Sequence, residues 1–221
     1  MNMIFVNFKT YQQGTGEAAL DLVKILEEVA IQKQIKIIPV VQAADVREVV
    51  LNTKLEVWVQ NIDPEDFGAH TGSILAEAVR EDGAVGTFLN HSEHKFAAFE
   101  YLEAANRRAK EIGLKTLIFA GDLEELKRVI ELAPDFVSYE PPELVGSKTT
   151  SVSESKPEII AEAVEISRGQ SIPLIVGAGI KTSEDIRKGL ELGAVGFAVA
   201  SSIVASNDPK SEIQALTEGF E

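Results

Sequence analysis

The sequence predicts an α/β chain closed into a (β/α)8 barrel, with eight parallel strands inside an outer ring of helices. Three observations predict it. Short apolar runs alternate with amphipathic helical patterns along the whole 221-residue chain. Eight such runs occur, more than an open doubly wound sheet usually holds at this length. The runs are mostly continuous in Val, Ile and Phe rather than alternating, as parallel strands buried on both faces require.

Taken in order, the first strand is expected at Met3–Asn7. A helix over Glu17–Lys33 follows, because Leu22, Ile25, Leu26 and Val29 recur on one face with a 3.6-residue period. Strands are expected at Ile35–Val40, Glu56–Gln60 and Ala84–Phe88. The next helical pattern, Glu93–Ile112, is the longest and opens directly at Asn90-His91-Ser92-Glu93. Gly113 suits its C-terminal cap. The fifth strand, Leu114–Phe119, leads to Asp122-Leu123-Glu124-Glu125, which reads as a capping box. Asp135–Tyr139 is the sixth strand. The connection Glu140–Ser155 is the longest loop, and loops of that length tend to be functional lids or disordered. Ser155-Lys156-Pro157-Glu158 starts a helix with Pro at or near the first helical position. Pro173–Val176 precedes a second capping box at Thr182-Ser183-Glu184-Asp185, and Gly193 suits a cap before the last strand, Ala194–Val199. No linker, repeat or low-complexity tract divides the chain, so one domain over residues 1–221 is expected.

Composition excludes several function classes. The net charge of −14 makes nucleic acid and anionic membranes poor partners. An anionic small substrate would need a local positive site. No segment approaches the roughly 20 apolar residues that span a bilayer. The start has neither a charged region nor a long apolar stretch, so no secretory signal is expected and the cytoplasm is the expected compartment. With no cysteine, disulfides and thiol-ligated metals are excluded.

In such a barrel the chemistry gathers at the C-terminal strand ends. That rule selects Asn7-Phe8-Lys9 after the first strand, Asn90-His91 after the fourth and Glu140-Pro141-Pro142 after the sixth. It also selects Gly177-Ala178-Gly179 after the seventh and Ala200-Ser201 after the eighth. One cation, one imidazole, one carboxylate and two small-residue turns therefore converge on one face. At a helix start His91 would feel the positive end of the helix, which lowers its pKa and favours neutral imidazole. Taken singly, each residue has a plainer reading: a solvated lysine, a hydrogen-bonded structural histidine, a surface carboxylate. Gly177-Ala178-Gly179-Ile180-Lys181-Thr182 fails the dinucleotide pattern at Thr182. It reads better as a backbone cradle for phosphate, joined by Ala200-Ser201-Ser202; its other reading is a tight turn plus a helix cap.

These motifs resemble the triosephosphate isomerase family in its shorter, archaeal-like form. The resemblance rests on Asn7-Phe8-Lys9-Thr10-Tyr11, Ala69-His70-Thr71-Gly72, Asn90-His91-Ser92-Glu93, Glu140-Pro141-Pro142-Glu143-Leu144-Val145-Gly146 and Gly177-Ala178-Gly179-Ile180. They stand in family order and span the chain. The family is itself the standard example of a neutral imidazole electrophile, so that reading of His91 is not independent of the resemblance. The resemblance implies interconversion of dihydroxyacetone phosphate and D-glyceraldehyde 3-phosphate without a cofactor or metal. It implies Glu140 as the base, His91 as the polarising proton shuttle, and Lys9, supported by Asn7 and Glu93, as the positive charge at the enediolate. Val145, Gly146, Gly177, Gly179, Ala200 and Ser201 would hold the phosphate. Pro141 and Pro142 would stiffen the hinge of a lid. The loop carrying Thr71 would insert into a neighbouring subunit, which implies at least a homodimer and leaves a tetramer open. Departures are Phe119 where a Cys is common, Lys148 in the lid, and Asn61 where relatives often have His. Two rival readings stand: another phosphate-binding barrel isomerase or synthase, and a non-catalytic sensor of a phosphorylated metabolite.

Overall fold

Eight parallel strands close in sequence order, each hydrogen-bonded to the next and the last to the first. The computed structural model describes residues 2–140 and 157–221. The strands are β1 (Met3–Asn7), β2 (Lys36–Val41), β3 (Trp58–Val59), β4 (Gly86–Leu89), β5 (Lys115–Ala120), β6 (Phe136–Tyr139), β7 (Leu174–Val176) and β8 (Gly196–Val199). The described α-helices are α1 (Glu17–Lys33), α2 (Val46–Leu51), α3 (Ala76–Glu81), α4 (Phe99–Glu111), α5 (Leu123–Ile130), α6 (Pro157–Gly169), α7 (Ser183–Glu191), α8 (Ser201–Val204) and α9 (Pro209–Thr217). All eight expected strands form, although β3 is trimmed to two residues.

Two apolar layers follow from the strand alternation. One set of side chains points outward and packs under the helices; on α1 the buried stripe includes Leu22, Val23, Leu26 and Val29, while Ile25 is only half-buried. The other set fills the barrel itself and is largely aromatic. Phe5 packs against Trp58, Phe88 and Phe136 at centroid distances of 5.0, 5.7 and 5.8 Å. Burying one such ring contributes roughly 2–3 kcal/mol, so this interior is a packed plug and not a pore. The polar residues of the mouth are therefore mounted on a rigid base.

The expected helix starts take two forms. Thr182 and Asp185 make a reciprocal capping box. Asp122 accepts the Glu125 N–H at 2.7 Å, but Glu125 turns its own carboxylate to Gly121 N–H at 2.8 Å and further afield. Gly113 and Gly193 adopt positive φ just beyond α4 and α7.

The expected helix from Glu93 is a correction. After His91 the chain makes one turn, with the His94 N–H on the His91 carbonyl at 2.8 Å, and α4 begins only at Phe99. It is also shorter than α1. The reason is that the polar groups between are committed elsewhere: Glu93 to Lys9, Lys95 to Glu125, and the Glu93 N–H to the His91 ring. The long connection Glu140–Ser155 falls, after its first residue, outside the described residues, and so do Pro141, Pro142, Val145, Gly146 and Lys148.

Candidate active site

Lys9 is reached by a sharp bend at the end of β1. Its φ of 46 is left-handed, a conformation that costs a residue with a Cβ about 1–2 kcal/mol. Two side chains hold it there. Asn7 Oδ1 accepts the Lys9 N–H at 3.0 Å, and Gln60 Nε2 donates to the Lys9 carbonyl at 2.9 Å. The bend turns the ammonium toward Glu93, and Nζ lies 2.7 Å from Oε1. Gln60 stands at a strand end, so the rule that selected the other mouth residues selects it as well.

His91 stands on Asn90, also left-handed at φ 61. Its Nδ1 accepts the Glu93 N–H at 3.1 Å. The neutral ring therefore carries its proton on Nε2, which faces Glu140 Oε2 at 3.3 Å. Phe119 packs edge-on against the ring at 4.8 Å. The His91 pKa is lowered from 6.5 to about 4, first by burial, then by the Lys9 charge, while Glu93 pulls it back up. Burial and Lys9 keep this imidazole neutral; the helix start expected from the sequence contributes nothing, since α4 begins eight residues later.

Glu140 continues the inward column of β6. Phe136 packs in the barrel interior and Ser138, fully buried, lies one layer higher. Burial raises the Glu140 pKa from 4.5 to about 7, against the pull of Lys9 and of the Ala178 N–H. Ser92 Oγ donates to Oε2 at 3.4 Å. Room for the carboxylate comes from Gly177, where a Cβ would stand 2.6 Å from Glu140 Oε1. Between about pH 4 and about pH 7 neither partner of the 3.3 Å contact is predominantly charged, so the pair is a hydrogen bond and not a buried ion pair.

A cavity of about 60 Å³ lies between these groups. It is lined by Asn7, Lys9, His91 and Glu140 together with Ala178, Gly179, Lys181, Ala200 and Ser201. The structure thus brings together the sequence-selected residues of the first, fourth, sixth, seventh and eighth strand ends. Gly177 does not line the cavity; it makes space for Glu140. Glu93 lines a second cavity of about 680 Å³ next to Lys9, with Thr10, Gln42, Asn61 and His94. Thr71 lines neither. It lies in an exposed stretch over residues 66–73 that projects between β3 and α3 and carries the exposed Phe67. Ser92, Lys181 and Phe119 are site residues that strand-end counting passes over, because each touches the site from a neighbouring position or a second layer. Among the described residues no group of three acidic or histidine side chains is arranged to hold a metal ion.

The family model described as triosephosphate isomerase matches residues 2–216. The triosephosphate isomerase of Methanobacterium bryantii is 40% identical over 216 residues, covering 97% of this chain and 95% of the relative. That of Methanothermus fervidus is 38% identical, covering 97% and 96%. That of Saccharolobus solfataricus is 38% identical over 213 residues, covering 96% and 93%.

Proposed function

The chain belongs to the triosephosphate isomerase family, and we infer from the geometry of its barrel mouth how it interconverts dihydroxyacetone phosphate and D-glyceraldehyde 3-phosphate. It is an intramolecular aldose–ketose isomerase, and family membership disposes of the sensor and of the other phosphate-binding barrel enzymes. The reading of the individual residues is ours, and one observation carries it: Glu140 and His91 lie 3.3 Å apart at the mouth, with pKa values pushed to opposite sides of their ordinary order.

Glu140 takes a proton from the carbon beside the substrate carbonyl. The C–H electron pair becomes the enediolate double bond, and the carbonyl oxygen takes up the negative charge. His91 donates its Nε2 hydrogen to that oxygen and shuttles a proton between the two oxygens. Glu140 returns its proton to the neighbouring carbon, and the ketose has become the aldose. A base with a pKa near 7 is well matched to this work at neutral pH. A neutral imidazole loses its proton to an enediolate less wastefully than an imidazolium, whose proton would be too acidic to return.

Lys9 supplies the positive field for the developing oxyanion, and Lys181 lines the same cavity. The support of Lys9 is Asn7 Oδ1, which accepts the Lys9 backbone N–H, and the Glu93 carboxylate beside the ammonium. Gly179, Ala200 and Ser201 line the same cavity and offer backbone N–H groups to the phosphate. The other expected phosphate contacts, Val145 and Gly146, lie outside the described residues. The reading calls for no cofactor.

The same family reading has two copies meeting through the projecting loop. What supports it is the exposure of Thr71 and Phe67, and the open cavity of about 680 Å³ beside Lys9. At least a homodimer follows. Sedimentation distinguishes it from a monomer or a tetramer. Nucleic acid and membranes are not partners in this reading, and the cytoplasm is its compartment; no described helix is long and apolar enough to cross a membrane.

The test uses purified protein with no metal added. Formation of dihydroxyacetone phosphate from glyceraldehyde 3-phosphate is expected at a rate that His91→Gln lowers by about 100-fold. An unchanged rate in that variant returns His91 to a structural role.

A further inference from the structure

We propose that Glu125, on the first turn of α5, is a positioning residue that fixes His91 by clamping both ends of the turn that carries it. The inference rests on the reading of His91 given above. Glu125 does not line the cavity and touches no reacting group.

The clamp is visible in its contacts. Glu125 Oε1 accepts from Asn90 Nδ2 at 2.9 Å. Lys95 Nζ lies 2.7 Å from Oε1 and 2.6 Å from Oε2. Oε2 also accepts the Gly121 N–H at 2.8 Å. A carboxylate offers about four acceptor directions, and these contacts occupy them, so it has no freedom to reorient. Its own backbone is held by the Asp122 cap at 2.7 Å.

Asn90 immediately precedes His91, and Lys95 follows the turn closed by the His94 N–H on the His91 carbonyl. One carboxylate therefore ties down the chain just before and just after the segment bearing His91, Ser92 and Glu93. Each of the three reaches Glu140 or Lys9. Asn90 has the further contact of Nδ2 with the Phe119 carbonyl at 3.0 Å, and the Phe119 ring packs on His91.

Helix capping alone does not account for this. A carboxylate serving only α5 would need the Gly121 N–H and no more. The contacts to Asn90 and Lys95 belong to a different loop of the barrel. They matter because the Asn90 backbone is left-handed, with φ 61. Without a tether on its amide, the chain relaxes toward ordinary dihedrals and swings the imidazole. A displacement of about 1 Å at a catalytic group costs on the order of 100-fold in rate.

The experiment compares Glu125→Ala, Glu125→Gln and Asn90→Gly with the parent protein, each alone and combined with His91→Gln. Steady-state kinetics and thermal unfolding are measured for all. Asn90→Gly keeps the left-handed backbone available and deletes only the tethering amide. Glu125→Ala is expected to lower kcat about 10- to 100-fold with KM within about twofold. Glu125→Gln, which still accepts through its carbonyl oxygen, should recover part of that loss. Asn90→Gly should lower kcat in the same direction while unfolding at close to the parent temperature. In the His91→Gln background, Glu125→Ala should have no further effect on kcat, as expected for two residues acting through one group. If Glu125→Ala does not fold, Lys95→Met takes its place, with a smaller loss of kcat expected. An unchanged kcat in all the folded clamp variants, or losses that multiply with His91→Gln, overturns the inference. If His91→Gln alone leaves kcat unchanged, it is the reading of His91 that fails; if His91→Gln is slow and the clamp variants are not, only the role of Glu125 fails.

Discussion

Six described residues other than glycine have left-handed backbone, and they divide evenly between the two ends of the barrel. Lys9, Asn90 and Ala178 follow strands β1, β4 and β7 at the mouth. Gln34, Ala133 and Ser171 follow helices α1, α5 and α6 at the opposite end. At the base the side chains are exposed, and only the backbone is used: the N–H groups of Gln34, Ala133 and Ser171 bond carbonyls of Ala30, Ile130 and Arg168 at the helix ends. Glycine would do that work with less strain. At the mouth the residues are at least half-buried, and what they present is used. Lys9 reaches Glu93, Asn90 reaches Phe119 and Glu125, and the Ala178 N–H reaches Glu140. The same dihedral is a removable cost at one end and the means of aiming a functional group at the other.

Removing the most deeply buried charge at the mouth tests the contrast most severely. Glu140→Gln is expected to lower kcat by about 1,000-fold, within the range for a general base, and to leave the protein no less stable. A variant keeping most of its turnover would mean that the base is another residue. In the barrel plug beneath the mouth the priorities invert. Trp58→Ala removes a ring from the barrel plug and should cost about 3–5 kcal/mol of stability. At temperatures where that variant remains folded, KM should move little; a kcat loss as large as that of Glu140→Gln would show that plug and mouth are not separable.

Lys9→Gly relieves strain and removes charge at once. Turnover should fall by about 100-fold or more, while the melting temperature holds or rises by a few degrees. Destabilisation instead would mean that the Lys9–Glu93 pair outweighs the strained backbone.

The pH dependence follows from the two shifted groups. Activity should fall about tenfold per unit as pH drops below about 7, because Glu140 is then protonated. Its effect on stability has the opposite sense. The folded state favours the protonated carboxyl, so the contribution is complete below 4.5 and is lost as pH rises through about 7. His91, lowered to about 4, contributes stability above 6.5 that is lost as pH falls through about 4. Glu140→Gln should therefore gain stability relative to the parent between about pH 5 and about pH 8, as melting curves will show. A constant difference across that range would contradict the raised pKa. The smallest effect belongs to Ser171→Gly at the base. It should add about 0.5–1 kcal/mol and leave kinetics alone; the same gain with altered kcat would remove the distinction between the two ends.

Strand positions were legible because burial on both faces demands continuous apolar runs, and the position of a strand end then names its mouth residues. Lys9, His91 and Glu140 came out of that rule, and so does Gln60. The start of α4 was not legible. The residues from Glu93 to Ala98 belong to the helical pattern, yet their polar groups are spent on Lys9, Glu125 and the His91 ring. Local periodicity cannot register such partners, since they lie far away in sequence.

By itself the sequence determined the barrel, the order of its elements and the kinds of group at its mouth. Those depend on apolar periodicity, caps and the spacing of residue types, all local properties of the chain. Tertiary structure alone decided that Gly177 clears space for Glu140 instead of facing the cavity, that His91 is kept neutral by burial and Lys9 instead of by a helix, and that Glu125 holds two ends of another loop. Each depends on how far apart groups from different strands come to rest, and on how little water remains between them, which closure of the barrel sets.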